Sequence, residues 1–140
     1  MKQAIKIQWQ GNMLFDAETL GGNIKIDSAA EVGGEGKGVR PKALMLTSLA
    51  GCTGMDVISL LKKMRAEVDN LEIDVTGELT DEHPKFYKKV HIEYHFYGKE
   101  FKKDKIEKAI KLSQDRYCGV SEMFRQFAEV TIDIKYIEKV

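Results

Sequence analysis

Apolar and polar residues alternate along several short stretches of this chain, as expected of strands with one face buried. The first three stretches are Ile5–Trp9, Leu14–Glu18 and Ile24–Ser28. Turn-forming residues separate them, with Gly11-Asn12 after the first stretch and Gly21-Gly22-Asn23 after the second. This spacing predicts a meander of hairpins.

Longer periodic segments follow. The alternation predicts strands over Leu71–Leu79, Phe86–Tyr97 and Val130–Tyr136, and a 3.6-residue period predicts helices over residues 41–67 and 103–117. A short third helix is expected within residues 122–128, with Ser121 as its N-cap. The order βββ-α-ββ-αα-β lacks a regular β-α-β alternation. It therefore indicates an α+β fold with a mostly antiparallel sheet, a long central helix and one domain over residues 1–140.

The central helix has an unusual composition. Pro41 suits a first helical turn, and the residues after it are apolar on nearly every side, which predicts a buried helix. Gly51 and Gly54 interrupt this apolar segment on either side of Cys52-Thr53. Each glycine inside a helix costs about 1 kcal/mol relative to alanine. We therefore expect that another backbone or a ligand approaches closely there.

The composition of the chain excludes several classes of function. The chain is 43% hydrophobic and 31% charged, and its 22 basic and 22 acidic residues give a formal net charge of zero. This balance argues against electrostatic binding to nucleic acid or to an anionic membrane. The longest uncharged run, Ala43–Met55, is short for a bilayer span, and the N-terminal residues lack the pattern of a secretory signal. A cytoplasmic protein with free thiols is expected.

Two motifs invite a binding interpretation that their details oppose. The loop Gly33–Gly38, "GGEGKG", lacks the spacing and the Ser/Thr of a phosphate-binding loop, so a mobile connection is expected. His91, Glu93 and His95 share one strand face. At roughly 3.3 Å per residue, the two histidines lie about 13 Å apart, too far to bind one metal ion. A solvated strand face is expected, with no metal.

The two cysteines, Cys52 and Cys118, are the remaining candidates for chemistry. An arbitrary cysteine is more often buried filler than a reactive group. Cys52, however, lies among small residues, and Cys118 directly precedes a helix N-terminus, where the helix dipole favours a thiolate. Sequence spacing alone does not show that the two sulfurs meet.

The chain resembles the OsmC/Ohr family of peroxide-handling proteins over nearly its whole length, most clearly in the segments "RPKALMLTSLAGCTGMDVISLLKKMR" and "DRYCGV". The sequence around Cys52 resembles that of a less characterised OsmC-like branch. The resemblance implies an intertwined homodimer with two sites at the subunit interface. It also implies that Cys52 attacks a hydroperoxide and that Cys118 resolves the product. An external dithiol then reduces the disulfide, without metal or bound cofactor.

Two positions depart from the family pattern. Lys42 stands where the family has a glutamate, and no arginine precedes Arg40, although relatives supply one from the N-terminal strands. In the family, that Arg–Glu pair activates the attacking thiol. Asp56, one turn beyond Cys52, would raise the thiol pKa unless a cation neutralises it. The arginines that could substitute are Arg40, Arg116 and Arg125.

The leading hypothesis is therefore a thiol-dependent hydroperoxide reductase acting in oxidative-stress defence. The alternative is a non-catalytic, redox-sensing or small-ligand-binding homodimer of the same fold, with an apolar ligand held between Met45, Met55 and Met123. In a third hypothesis, both thiols are purely structural.

Overall fold

The computed structural model describes residues 1–138 and confirms the α+β class. The strands and helices are β1 Lys6–Trp9, β2 Phe15–Thr19, β3 Gly22–Ile26, α1 Ala43–Lys63, β4 Asn70–Leu79, β5 Tyr87–Gly98, α2 Lys103–Leu112, α3 Gly119–Arg125 and β6 Glu129–Glu138. The chain separates into two compact units, residues 1–45 and the part from Leu46 onward. That residues 1–140 form one domain stays a prediction.

In the first unit, β1, β2 and β3 form the predicted antiparallel meander. The glycine-rich loop after β3 folds back on the buried carboxylate of Asp27, which accepts hydrogen bonds from the backbone N–H groups of Ser28, Glu35 and Lys37 at 2.8, 3.2 and 3.0 Å. A Cβ on Gly34 would lie 1.8 Å from the Ser28 carbonyl oxygen. The loop predicted to be mobile is thus held by hydrogen bonds, and Gly34 serves close packing.

In the second unit, β4, β5 and β6 form one sheet in that order. The pair β4–β5 is antiparallel, whereas β5 and β6 are parallel, with Val90 opposite Val130. A parallel pair needs a long crossover connection, and α2 and α3 supply it. The inner face of β5 consists of the four residues predicted from the alternation, all buried: Val90, Ile92, Tyr94 and Phe96.

Helix α1 begins two residues after Pro41 and ends at Lys63, inside the predicted range of residues 41–67. Its buried residues recur every fourth position: Leu49, Thr53, Val57 and Leu61. The prediction of burial on nearly every side does not hold for a single chain, because only 22% of the most apolar 18-residue stretch is buried. By length and composition α1 could cross a membrane, but the core helices of soluble proteins pass the same test.

The segment after α2 differs from its prediction in two ways. The helix expected over residues 103–117 ends as an α-helix at Leu112 and continues as a π-helical turn, Ser113–Tyr117. The third helix starts at Gly119, and its N-cap is Cys118 instead of Ser121. The Cys118 sulfur accepts a hydrogen bond from the Ser121 N–H at 3.3 Å. The capping group is therefore one of the two candidate thiols.

Candidate functional site

Cys52 and Cys118 meet in the second unit, although they lie far apart in the sequence. Cys52 is about midway along α1 and half-buried, and Cys118 is 3% exposed in the junction between the π-helical turn and α3. The two thiols are free. The two sulfurs and a carboxylate oxygen of Asp56 all lie within 4.8 Å of one another. The structure thus brings together three residues that the sequence analysis singled out.

The surroundings of Cys52 oppose its ionisation. Burial raises the pKa of the Cys52 thiol most, and the hydrogen bond with Cys118 and the negative charge of Asp56 raise it further. The backbone N–H of Val120 donates to the Cys52 sulfur and acts in the opposite direction. The pKa of Cys52 is raised overall, so the neutral thiol is favoured near pH 7.

A buried chain of hydroxyl groups leads to Asp56. The Ser113 hydroxyl donates to Asp56 Oδ2 at 2.9 Å, Thr53 Oγ1 lies 2.8 Å from Ser113 Oγ, and Tyr94 Oη lies 2.6 Å from Thr53 Oγ1. Each hydroxyl has one proton. Because Ser113 uses its proton on Asp56, Thr53 donates to Ser113, and Tyr94 donates to Thr53. The Asp56 carboxylate therefore sets the direction of the whole chain.

The side chain of Gln114 closes this network. Its Nε2 donates to Tyr94 Oη at 3.1 Å and to Thr53 Oγ1 at 3.3 Å. Sequence reasoning missed the network, because Tyr94 occupies an apolar-face position of β5 and Thr53 belongs to the buried stripe of α1. A threonine and a tyrosine at core positions are the one signal that a buried polar network exists, since such hydroxyls need partners.

The two glycines beside Cys52 border a groove, and Gly54 also packs closely against a side chain. A Cβ on Gly54 would lie 3.0 Å from Ile73 Cδ1, so the glycine leaves room for the end of the Ile73 side chain. Gly51 and Gly54 also line an open apolar groove of about 830 Å³, together with Met55, Ile58 and Leu71. The prediction that small residues permit a close approach is right for Gly54, but the group that approaches is Ile73.

A cavity lies on the side of Asp56. A cavity of about 320 Å³ is lined by Asp56, Ser59, Leu60, Lys63 and Tyr117. The carboxylate thus forms part of both the cavity wall and the group that contains the two sulfurs.

The arginines proposed as substitute activators are placed differently. Arg125 Nη2 lies 2.7 Å from Glu122 Oε2 in an ion pair, and Arg40 Nη1 donates to the Gly38 carbonyl at 2.9 Å in the first unit. Arg116 is exposed on the π-helical turn. The negative charge of Asp56 raises the pKa of the Cys52 thiol, after burial and the neighbouring Cys118.

The histidine side chains of β5 lie beside acidic side chains of the same sheet. His91 Nε2 lies 3.4 Å from Asp133 Oδ2, and His95 Nε2 lies 2.8 Å from Glu93 Oε1. Lys135 Nζ lies 2.9 Å from the same Glu93 oxygen. His91, Glu93 and His95 share one face of the strand, as predicted. Their neighbours are charged side chains of the outer surface of the sheet.

The fold and this site define an α+β protein with paired thiols at the junction of a central helix and a helical crossover. A model of the OsmC-like protein family matches residues 34–133, and the chain belongs to this family. Protein YhfA of Escherichia coli K12 is 27% identical over 128 residues, covering 90% of this chain and 92% of YhfA.

Two solved structures show the same fold. A hypothetical protein from Aquifex aeolicus VF5 superposes with a TM-score of 0.87 at 28% identity, covering 100% of this chain and 99% of that one. An organic hydroperoxide resistance protein, OsmC, from Legionella pneumophila superposes with a TM-score of 0.68 at 15% identity, covering 96% and 97% of the two chains. The second likeness shows the fold alone.

Proposed function

We propose that this chain is a thiol-dependent hydroperoxide reductase that acts in peroxide-stress defence. The observation that supports it best is that two free thiols, Cys52 and Cys118, have their sulfurs within 4.8 Å of each other. Membership of the OsmC-like family and the hydroperoxide-resistance role of the Legionella pneumophila protein agree with it.

In the proposed reaction, the Cys52 thiolate attacks the outer oxygen of a hydroperoxide ROOH. The O–O bond breaks, Cys52 becomes a sulfenic acid, and the alkoxide takes up a proton to leave as ROH. The Cys118 sulfur then attacks the sulfenic sulfur, which forms a disulfide and releases water. An external dithiol reduces the disulfide by exchange and is itself oxidised. No metal or bound cofactor takes part.

The reduced protein tests this scheme directly. Thiols are counted before and after one equivalent of an organic hydroperoxide, and the product is mapped by mass spectrometry. Loss of both thiols with a Cys52–Cys118 linkage is the expected result. Unchanged thiol content would contradict the proposal. The Cys118→Ser protein should still consume one equivalent but accumulate Cys52 sulfenic acid, which over-oxidises. If it cycles with a dithiol like the parent, Cys118 does not resolve the intermediate.

A homodimer is part of the proposal. On α1, Met55 is 76% exposed and Ile58 is 49% exposed, and both line the 830 Å³ groove. An apolar face of this kind needs a cover, and a second copy of the chain would supply it. The expected solution mass at micromolar concentration is that of a dimer, and Met55→Glu should shift it toward the monomer. A monomeric parent protein would contradict this, and partition into detergent would favour a membrane instead.

A cytoplasmic location also stays a prediction.

A redox-sensing or ligand-binding homodimer is the second candidate. The raised pKa of Cys52 favours it, because a mostly protonated thiol reacts slowly with peroxide. The groove beside Met55 offers space for an apolar ligand. Disulfide formation without sustained turnover in the presence of a dithiol would support the sensing function over catalysis.

A further inference from the structure

We propose that Cys52, Cys118 and Asp56 together bind one Zn²⁺-class cation per chain when both thiols are reduced. The three donor atoms lie within 4.8 Å of one another. Zinc holds thiolates at about 2.3 Å and carboxylate oxygens at about 2.0–2.2 Å, so the ligands on one ion lie about 3.5–4 Å apart. Two sulfurs and one oxygen that already lie within 4.8 Å of one another need only small side-chain movements to reach the shorter distances of a zinc site.

The donor set selects the class of metal. Thiolates favour zinc and other soft or borderline ions over magnesium or calcium, which prefer oxygen ligands. Three protein ligands would leave the fourth tetrahedral position open. The Asp56 carboxylate, one of the three donors, also lines a cavity of about 320 Å³.

The groups around the three donors hold them as a metal site requires. The Ser113 hydroxyl donates to Asp56 Oδ2 and leaves the other carboxylate oxygen for a ligand bond. The backbone N–H of Ser121 donates to the Cys118 sulfur at 3.3 Å. Such hydrogen bonds stabilise sulfur in its thiolate form, and partners of this kind orient metal ligands.

Charge also favours a cation here. A carboxylate beside two thiols is unfavourable for forming thiolates, whereas a divalent ion would be attracted to all three groups. Sequence spacing gave no indication of this site, because the two cysteines lie far apart in the chain and each lacks a neighbouring cysteine. Only the fold brings them to the same carboxylate.

Metal binding and disulfide formation would exclude each other. Binding converts two thiols to thiolates and releases two protons to solvent. A disulfide has no thiolate to donate, so oxidation should release the ion. The binding itself does not rest on the proposed function. The release of the ion by hydroperoxide does rest on the proposed function. In that step, one ROOH and two protons convert the zinc dithiolate into a disulfide, ROH, water and free Zn²⁺.

The test uses reduced, chelator-treated full-length protein under anaerobic conditions. Zn²⁺ is titrated against a chromophoric chelator, and Co²⁺ serves as a spectroscopic probe. One equivalent per chain is expected, with a sulfur-to-cobalt charge-transfer band and the intense visible bands of tetrahedral cobalt. Cys52→Ser and Cys118→Ser should weaken Zn²⁺ binding and diminish the band. Asp56→Asn should lower the affinity at least about tenfold, the lower bound for losing a partner that merely orients a ligand.

Two controls locate the ion. Asp115→Asn changes an exposed acid of the π-helical turn, and His91→Ala removes the histidine of the other group of metal-type ligands, His91, Glu93 and Asp133. Both should leave the affinity unchanged. Binding that survives both cysteine changes and is lost in His91→Ala would overturn the proposal, as would saturating Co²⁺ without a sulfur band.

One arm of the test uses the unaltered sequence. Blocking both thiols of the unaltered protein with a methylthiolating reagent should abolish binding, and reduction with a phosphine should restore it. Zinc binding without disulfide formation under peroxide would defeat only the proposed reductase. A peroxide-driven disulfide without zinc binding would defeat only the metal site.

Discussion

Asp27 in the first unit and Asp56 in the second are acids withdrawn from solvent to different degrees, and their charges are compensated in different ways. Asp27 is buried and accepts three backbone N–H groups, which lower the pKa of its carboxyl, with the Lys37 N–H contributing most. Asp56 is half-buried and accepts one hydroxyl, from Ser113, beside two thiols. Backbone donors cannot leave or titrate, so Asp27 organises a loop. The thiols beside Asp56 can ionise, oxidise or bind metal, so its charge influences chemistry.

The largest effect is expected from removing the first carboxylate. Asp27→Ala leaves the N–H groups of Glu35 and Lys37 without their acceptor, and the loop should lose its fixed conformation. Amide hydrogen exchange at these two residues should accelerate strongly, and Asp27→Asn should fall between alanine and the parent. Glu31→Gln, at an exposed position of the same loop, is the control and should change nothing. Unaltered exchange in Asp27→Ala would show that the loop does not depend on the carboxylate.

The same carboxylate gives the loop a pH dependence of known sign. Because the folded pKa of Asp27 lies below its ordinary value, its stabilising contribution is complete above about pH 4. It is lost as the pH falls through the lowered folded pKa. Protection of the Lys37 amide should therefore persist at pH 5 and decline in stronger acid. The Asp27→Asn protein should lack this decline.

An intermediate effect is expected from breaking the chain of hydroxyls that ends at Asp56. Thr53→Val keeps the shape but leaves Tyr94 Oη and Ser113 Oγ without the Thr53 hydroxyl, at fully buried positions. The free energy of unfolding should fall by about 1–3 kcal/mol, measured by denaturant titration at constant m. Thr53→Ser retains the hydroxyl and should lose less. An unchanged free energy of unfolding in Thr53→Val would show that the hydrogen bonds of the Thr53 hydroxyl do not stabilise the fold.

Periodicity sufficed to predict the strands and helices, because burying one face imposes a repeat that the sequence carries locally. The inner face of β5 is the clearest case. What could not be predicted depends on long-range pairing. The parallel register of β5 with β6 and the π-helical turn before Cys118 follow from the packing of the crossover, which no local repeat encodes.

The site was predicted in part for the same reason. Cys52 and Asp56 lie one helical turn apart, so their proximity follows from helix geometry. The approach of Cys118 was implied by the family resemblance and not by spacing. The roles of Ser113 and Gln114 had no local signal, since a polar residue at a helix end is ordinarily solvated. Burial of those two side chains is a property of the assembled unit.

The smallest structural effect, and the most direct test of the charge beside the thiols, is expected from Asp56→Asn. Asparagine can still accept from Ser113 through its amide oxygen, so the fold should be retained. The change removes one of the causes that raise the pKa of Cys52, while burial remains. The measurement is the alkylation rate of Cys52 against pH in chelator-treated Cys118→Ser protein. Because the thiolate is the nucleophile, the rate should keep rising beyond about pH 8.5, the pKa of a free cysteine.

With Asp56→Asn added, the rise should move to lower pH and the rate at pH 7 should increase, since the thiolate no longer faces the negative charge of that carboxylate. Asp115→Asn in the same background is the control and should leave the profile in place, because that acid is ion-paired with Lys111 on the exposed turn. A profile already flat from pH 6 in the Asp56-containing protein would mean that Cys52 is ionised despite its surroundings. The contrast with Asp27 would then fail, because the Asp56 charge would be compensated as completely as that of Asp27.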